Sequence, residues 1–344
     1  LNAENSGTTM RFLLGALSVT PFLSVITGDD SLRNRPMGRI VAPLTLMGAH
    51  IVGRNKNTKA PLAITGGNLE GIEYEMPVAS AQLKSSLMIA SLFASDKTTI
   101  HQPAKSRDHT ERMLSAMGAQ FSETDNIIEV TPSPKLIPIN INVPGDISSA
   151  SFWIVAAVAH PNAKIRLNNV GINPSRSAII DILRTMGGNI SLENTRTEGG
   201  EPVADILVES SDLTATEVGG DLIPIIQDEV PILALAACMA KGTTTIKNAE
   251  DLRNKESDRL NTTASELSNL GAKVTENTDG LSIHGTGYLN GGSARSHNDH
   301  RIAMTLGIAG LLAKNVVTVN GAEVVDISYP GFWRDLEFIA YQQH

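Results

Sequence analysis

The sequence predicts an α/β protein of two domains, with apolar helices inside and sheets outside. Three observations carry that prediction. Apolar, Ala- and Leu-rich helical runs recur, and each opens on small polar or acidic residues. Each run leads into a short β-type segment, and in four cases an amphipathic helix with a Gly-containing end follows. The run starts at Asn5, Ser80, Ser148, Asp228 and Asp299 are spaced by 75, 68, 80 and 71 residues. Self-similarity at such a period is stronger evidence of fold than any single motif.

The elements follow in order. Asn5–Thr9 precedes the run Met10–Leu17, and Ser80-Ala81-Gln82 precedes Leu83–Phe93. Asp146–Ser149 opens Ala150–Val158, Asp228-Glu229 opens Val230–Ala240, and Asn298-Asp299-His300 opens Arg301–Leu312. Thr98–Ile100, Lys164–Arg166 and Thr243–Ile246 read as the strands that follow. The second helices end at Met47-Gly48, Met117-Gly118, Met186-Gly187 and Leu270-Gly271, and alternating strands such as Ile127–Val130 and Leu281–Ile283 come next. A helix that is apolar nearly all round must be buried, which places the sheets outside it. The change at Asn142–Asp146 divides the chain into expected domains 1–146 and 147–344.

Composition narrows the function classes. A hydrophobic share of 41% with 19% charged residues is that of a soluble globular chain. The single cysteine, Cys238, lies in an apolar run and reads as a small core residue, so disulfides are excluded and a reducing cytoplasm fits. A net charge of −8 without any basic block argues against nucleic acid, and no stretch is long and apolar enough for a membrane span. The eight histidines show no metal-ligand spacing, and there is no P-loop, so neither metal nor cofactor is expected. The chain begins at Leu1 rather than Met and reads as a piece of a longer protein.

Chemistry is expected at the helix starts, where unpaired N–H groups and partial positive charge attract anions. Arg11, Arg35, Arg107 and Arg301 sit at four such starts. Lys255 and Arg259, four apart, would share a helical face at a mild cost that an anion between them reverses. Asp228 reads either as an N-cap or as a general base, and Glu256 as a partner of Arg259 or a proton carrier. Ser80, Gln82 and Ser106 offer groups that fix a polyhydroxy ligand, although Ser80 also reads as a cap. His109 and His300 read equally as structural or functional.

These segments carry a resemblance. Asn5-Ser6-Gly7-Thr8-Thr9-Met10-Arg11, Arg35-Pro36, Ser80-Ala81-Gln82, Ser106-Arg107-Asp108-His109, Asp228-Glu229, Lys255-Glu256-Ser257-Asp258-Arg259 and Asn298-Asp299-His300-Arg301 stand in the order found in 5-enolpyruvylshikimate-3-phosphate (EPSP) synthases. The resemblance spans essentially the whole chain. It implies the enolpyruvyl transferase fold, an inside-out α/β barrel of two domains built from βαβαββ units. It also implies transfer of the enolpyruvyl group of phosphoenolpyruvate to the 5-hydroxyl of shikimate 3-phosphate, with release of phosphate, in aromatic amino-acid biosynthesis. By position, Arg35, Arg259 and Arg301 would hold phosphoenolpyruvate, with Gly7 and Gln82 beside them. Ser80, Gln82, Ser106, Arg107 and Lys255 would hold shikimate 3-phosphate. Asp228 would take the hydroxyl proton, and Glu256 would exchange a proton at the methylene carbon. A cytoplasmic monomer is expected once the chain is complete.

The departures are specific. The family's N-terminal segment with Gly-Asp-Lys-Ser is absent, which gives five unit starts against six and raises a complementing N-terminal peptide, or a non-catalytic fragment, as the alternative. Glu4 stands where the family has Gly, Asp326-Ile327-Ser328 where many members carry Lys, and Phe12 where the glyphosate-sensitive branch has Pro. A UDP-N-acetylglucosamine enolpyruvyl transferase would carry Cys at the position of Asp30 and lacks Lys-Glu-Ser-Asp-Arg.

Overall fold

The computed structural model describes residues 1–341, which fall into two compact units that divide between Ile141 and Asn142. In the first unit the helices are α1 (Gly7–Leu17), α2 (Asp30–Asn34), α3 (Gly38–Leu46), the single left-handed turn α4 (Arg54–Asn57), α5 (Ala81–Ser91) and α6 (His109–Ala116). Its strands are β1 (Leu23–Ile26), β2 (His50–Gly53), β3 (Lys59–Thr65), β4 (Glu73–Glu75), β5 (Thr98–His101), β6 (Gln120–Thr124) and β7 (Ile127–Thr131). They form two sheets, β1-β3-β2 and β4-β5-β7-β6. Helices α1, α3 and α5 pack on one another beneath them. Gly15 permits the close α1–α5 crossing, since a Cβ there would lie 2.3 Å from the Ser86 carbonyl oxygen.

The second unit repeats the plan. Its helices are α7 (Ile147–Ala159), α8 (Ala178–Thr185), α9 (Ile223–Ile226), α10 (Val230–Met239), α11 (Arg259–Asn269), α12 (His300–Leu312) and α13 (Phe332–Tyr341). Its strands are β8 (Lys164–Gly171), β9 (Asn189–Glu198), β10 (Glu201–Glu209), β11 (Glu217–Val218), β12 (Gly242–Ile246), β13 (Lys273–Asn277), β14 (Gly280–Gly285), β15 (Gly292–Arg295) and β16 (Val317–Asn320). The sheets run β8-β10-β9, β11-β12-β14-β13 and β15-β16. Helices α7, α10 and α12 meet in the centre, and β8, β14 and β16 pack on them from outside. Burial explains this: Val230 to Cys238 of α10 are all buried, so that helix has no polar face to offer water. No single helix among the described residues is long and apolar enough to cross a membrane.

The repeat is visible in hydrogen bonds. Sheets β4-β5-β7-β6 and β11-β12-β14-β13 share one topology, a parallel pair followed by an antiparallel hairpin. The other two large sheets have a lone parallel bridge in place of the first strand, Asn2 with Thr27 and Gly145 with Val170. The four predicted Gly endings are the same Schellman cap. Gly48, Gly118, Gly187 and Gly271 all have positive φ. The amide one residue later bonds back to Leu44, Leu114, Leu183 or Leu267, at 2.8–3.0 Å.

Three local expectations need correction. Lys255 and Arg259 do not share a helical face: Glu250–Asn254 is a 3₁₀ turn, Lys255 is extended after it, and α11 starts only at Arg259 behind the Asp258 cap. Arg35 does not open a helix but lies extended between α2 and α3. Asp228 is not an N-cap, because the residue at that position of α10 is Glu229, which makes no side-chain cap bond.

Candidate active site

In the first unit, polar side chains gather at the start of α1. Ser6 caps the helix by accepting from the Thr9 amide (3.1 Å). Arg11 is 7% exposed and donates to Gln82 Oε1 at 2.7 Å and to the Pro36 carbonyl at 3.4 Å. Gln82 in turn donates to Thr8 Oγ1 at 2.8 Å, which ties α5 to α1. Arg35 reaches the same corner, donating to Asn5 Oδ1 at 3.0 Å. Gly7 makes room for both guanidinium groups, since a Cβ there would stand 2.8 Å from Arg11 Nη1 and 3.5 Å from Arg35 Nη1. Burial, then Arg39 and Arg35, push Arg11 down to about 10. Arg11 and Arg35 thus crowd the start of α1 within reach of the charge of Arg39, and an anion there would relieve the repulsion.

The other first-unit residues lie on α5 and on the segment before α6. Ser80 caps α5 through the Leu83 amide (3.4 Å). Ser106 Oγ donates to Gln102 Oε1 at 3.1 Å, and its carbonyl accepts from Lys84 Nζ at 3.3 Å. Arg107 follows directly, and Asp108 pairs with Arg112 at 2.8 Å.

The second unit holds a denser charge cluster, built where α10, α11 and α12 begin. Arg259 is 1% exposed and is surrounded by carboxylates: Asp299 at 2.8 Å, Glu256 at 2.6 Å and Asp228 at 3.2 Å. Arg301 Nε stands 3.6 Å from Asp228 Oδ1, and its Nη1 donates to the Asp228 carbonyl at 3.3 Å. Asp228 is thus held between two guanidinium groups. Lys255 Nζ donates to Gln227 Oε1 at 2.5 Å. Burial lowers the Lys255 pKa, against the opposing pull of Asp228. Asp299 caps α12 through the Arg301 amide (2.9 Å). Burial would raise its carboxyl, but Arg259 outweighs that and holds it below the usual carboxylate range. His300 is buried beside Arg301, and both effects lower its pKa.

Next to Asp228, Glu229 is fully buried at the start of α10. It accepts from Ser148 Oγ at the start of α7, and Ser148 in turn accepts from Arg176, which also reaches Asp146 at 3.2 Å. Burial raises the Glu229 pKa, and Arg301 opposes it. Cys238 is inert by the same physics, its thiol pushed up to about 12 by burial.

The structure brings Asp228, Glu256, Arg259 and Arg301 into one contact network, with Lys255 bonded to the neighbouring Gln227, and Gly7, Arg35 and Gln82 into another. Sequence reasoning left Lys84, Glu111, Arg176 and Asp299 without roles. Lys84 carried a signal, a lysine inside an apolar helical run. Arg176 did too, since Ser175-Arg176 falls where Ser106-Arg107 falls in an earlier repeat.

The fold defines the class: repeated units that pack apolar helices inside their sheets are the enolpyruvyl transferase architecture. The narrower assignment rests on direct comparison. The family model described as EPSP synthase (3-phosphoshikimate 1-carboxyvinyltransferase) matches residues 1–336, and the chain belongs to that family. The chain is 53% identical over 332 residues to the 3-phosphoshikimate 1-carboxyvinyltransferase of Desulforudis audaxviator, covering 96% of this chain and 77% of the relative. It is 46% identical over 337 residues to that of Bacillus subtilis, covering 98% and 79%. A solved structure of EPSP synthase from Acinetobacter baumannii superposes with a TM-score of 0.93 at 43% identity, covering 98% of this chain and 78% of that one.

Proposed function

We propose that the chain transfers the enolpyruvyl group of phosphoenolpyruvate to the 5-hydroxyl of shikimate 3-phosphate and releases phosphate. The observation that carries the reading is Asp228, a carboxylate held between Arg259 and Arg301 with Lys255 and Glu256 nearby. Both substrates are multiply anionic, and a chain of net charge −8 attracts them only through local cations of this kind.

The residue roles follow. Arg35, Arg259 and Arg301 hold the carboxylate and phosphate of phosphoenolpyruvate, where guanidinium groups pair bidentately, with Gly7 and Gln82 beside Arg35 in the first unit. Ser80, Gln82, Ser106, Arg107 and Lys255 hold shikimate 3-phosphate. Asp228 accepts the 5-hydroxyl proton as the oxygen bonds to the enol carbon. Glu256, 44% exposed at its side chain, gives a proton to the methylene carbon. Breaking the bond between the enol carbon and the phosphate oxygen, with return of one methyl proton, regenerates the vinyl group. The cytoplasmic location and monomeric state belong to the same reading; fractionation and sedimentation test them.

The decisive assay is coupled phosphate release with both substrates on the full-length natural protein. Asp228→Ala and Lys255→Ala abolish turnover while the fold persists. Rates like the wild type in either variant overturn that residue's role.

A further inference from the structure

One charged pair in the first unit lies outside these roles and is buried more completely than most of the residues that have them. Lys84 sits on α5 at 1% exposure, and Glu111 sits on α6 at 5%. Their charges meet at 2.5 Å. Burying two ions costs several kcal/mol each before their attraction repays it, and an apolar pair would join two helices as well. The α5–α6 contact already has a second tie, Ser85 Oγ with Thr110 Oγ1 at 2.6 Å. Helix packing alone therefore does not account for the ammonium.

What the ammonium adds is a donor. Lys84 Nζ lies 3.3 Å from the Ser106 carbonyl oxygen, in a segment that has neither helix nor strand geometry between β5 and α6. Fixing that carbonyl fixes the peptide plane between Ser106 and Arg107, and with it the starting direction of the Arg107 side chain. The same helix carries Ser80 at its cap and Gln82 in its first turn, so Lys84 stands about one turn into the helix that Ser80 caps.

We infer that Lys84 is a positioning residue for shikimate 3-phosphate: charge-compensated by Glu111, it ties the Ser106–Arg107 segment to the helix that presents Ser80 and Gln82. The inference rests on the reading that Ser106 and Arg107 bind that substrate. Loss of the tie loosens one substrate and spares the other, which a packing role does not do.

The test uses the full-length natural protein. Lys84→Met alone leaves Glu111 buried and unpaired, so the decisive variant is the double replacement Lys84→Met with Glu111→Leu, which leaves no lone charge. Urea unfolding shows that the double variant keeps wild-type stability. Its KM for shikimate 3-phosphate rises about ten-fold or more, a size typical of a misplaced binding group, while the KM for phosphoenolpyruvate stays within about two-fold. A stable double variant with a wild-type KM for shikimate 3-phosphate overturns the inference, as does an equal rise for both substrates. Arg107→Ala is the reference. If it raises the KM and the double variant does not, the inference alone fails; if Arg107→Ala itself leaves binding unchanged, the site reading falls and takes the inference with it.

Discussion

Replacing Asp299 by Ala tests how the second-unit charge cluster is held together. The Asp299 side chain is fully buried, and it makes three kinds of contact. It caps α12 through the Arg301 amide, pairs with Arg259 Nε at 2.8 Å and accepts from Ser257 Oγ at 3.1 Å. Loss of a cap costs about 1 kcal/mol. Stripping a partner from a buried guanidinium costs about 3–5 kcal/mol. Glu256 and Asp228 still face Arg259, which points to the low end of that range. The sum is about 4 kcal/mol. Asp299→Asn keeps an acceptor for the cap and loses only the charge, for about 2 kcal/mol. Both tryptophans, Trp153 and Trp333, lie in the second unit, so their fluorescence reports its unfolding in urea. With a slope of about 2.5 kcal/mol per M, Asp299→Ala moves the midpoint down by about 1.5 M at unchanged slope. A cost under about 1 kcal/mol, or equal costs for Ala and Asn, would falsify this account of the cluster.

Three further outcomes follow from single features. Glu4 has φ 50°, in the left-handed region, so Glu4→Gly stabilises the first unit by about 1 kcal/mol, and an unchanged or lower melting temperature counts against it. Because burial raises the folded-state pKa of Glu229, the native state binds the extra proton, and stability falls as pH rises from about 4.3 through that raised value. Glu229→Gln removes this dependence, so its stability relative to the wild type improves across that window; parallel pH profiles would contradict it. Cys238, 1% exposed with its thiol near 12, resists alkylation at pH 8 until urea unfolds the second unit, and rapid modification of the native protein would show that the core opens.

Much of this fold was readable because its signals are local and repeated. Gly48, Gly118, Gly187 and Gly271 end helices for one steric reason, and the apolar runs of α7, α10 and α12 leave no polar face to expose. Arg259 and its neighbours were legible as types but not as geometry. A spacing of four suggests one helix, yet the Asp258 cap, accepting from the Asn261 amide at 3.1 Å, starts α11 at Arg259 and leaves Lys255 outside. Of the two readings open for Asp228, a cap and a general base, the cap came from its place before a helix, but the side chain turns to Arg259 and Arg301 instead. Lys84 and Glu111 were missed for a different reason: their pairing joins residues 27 apart across two helices, and no sequence period connects them.

The four helix caps make this chain an internal control on itself. Each Gly turns the backbone through the same left-handed step, so placing Ala there imposes one shared conformational cost four times over. The surroundings differ: a Cβ at Gly118 meets Ile137 at 3.4 Å, at Gly48 the Asn68 carbonyl at 3.3 Å, at Gly187 the Asp212 carbonyl at 3.1 Å, and at Gly271 the Asn290 side chain at 2.5 Å. Whatever the four substitutions share belongs to the backbone, and whatever separates them belongs to the neighbours. The two quantities separate inside this single polypeptide because its architecture was written several times over.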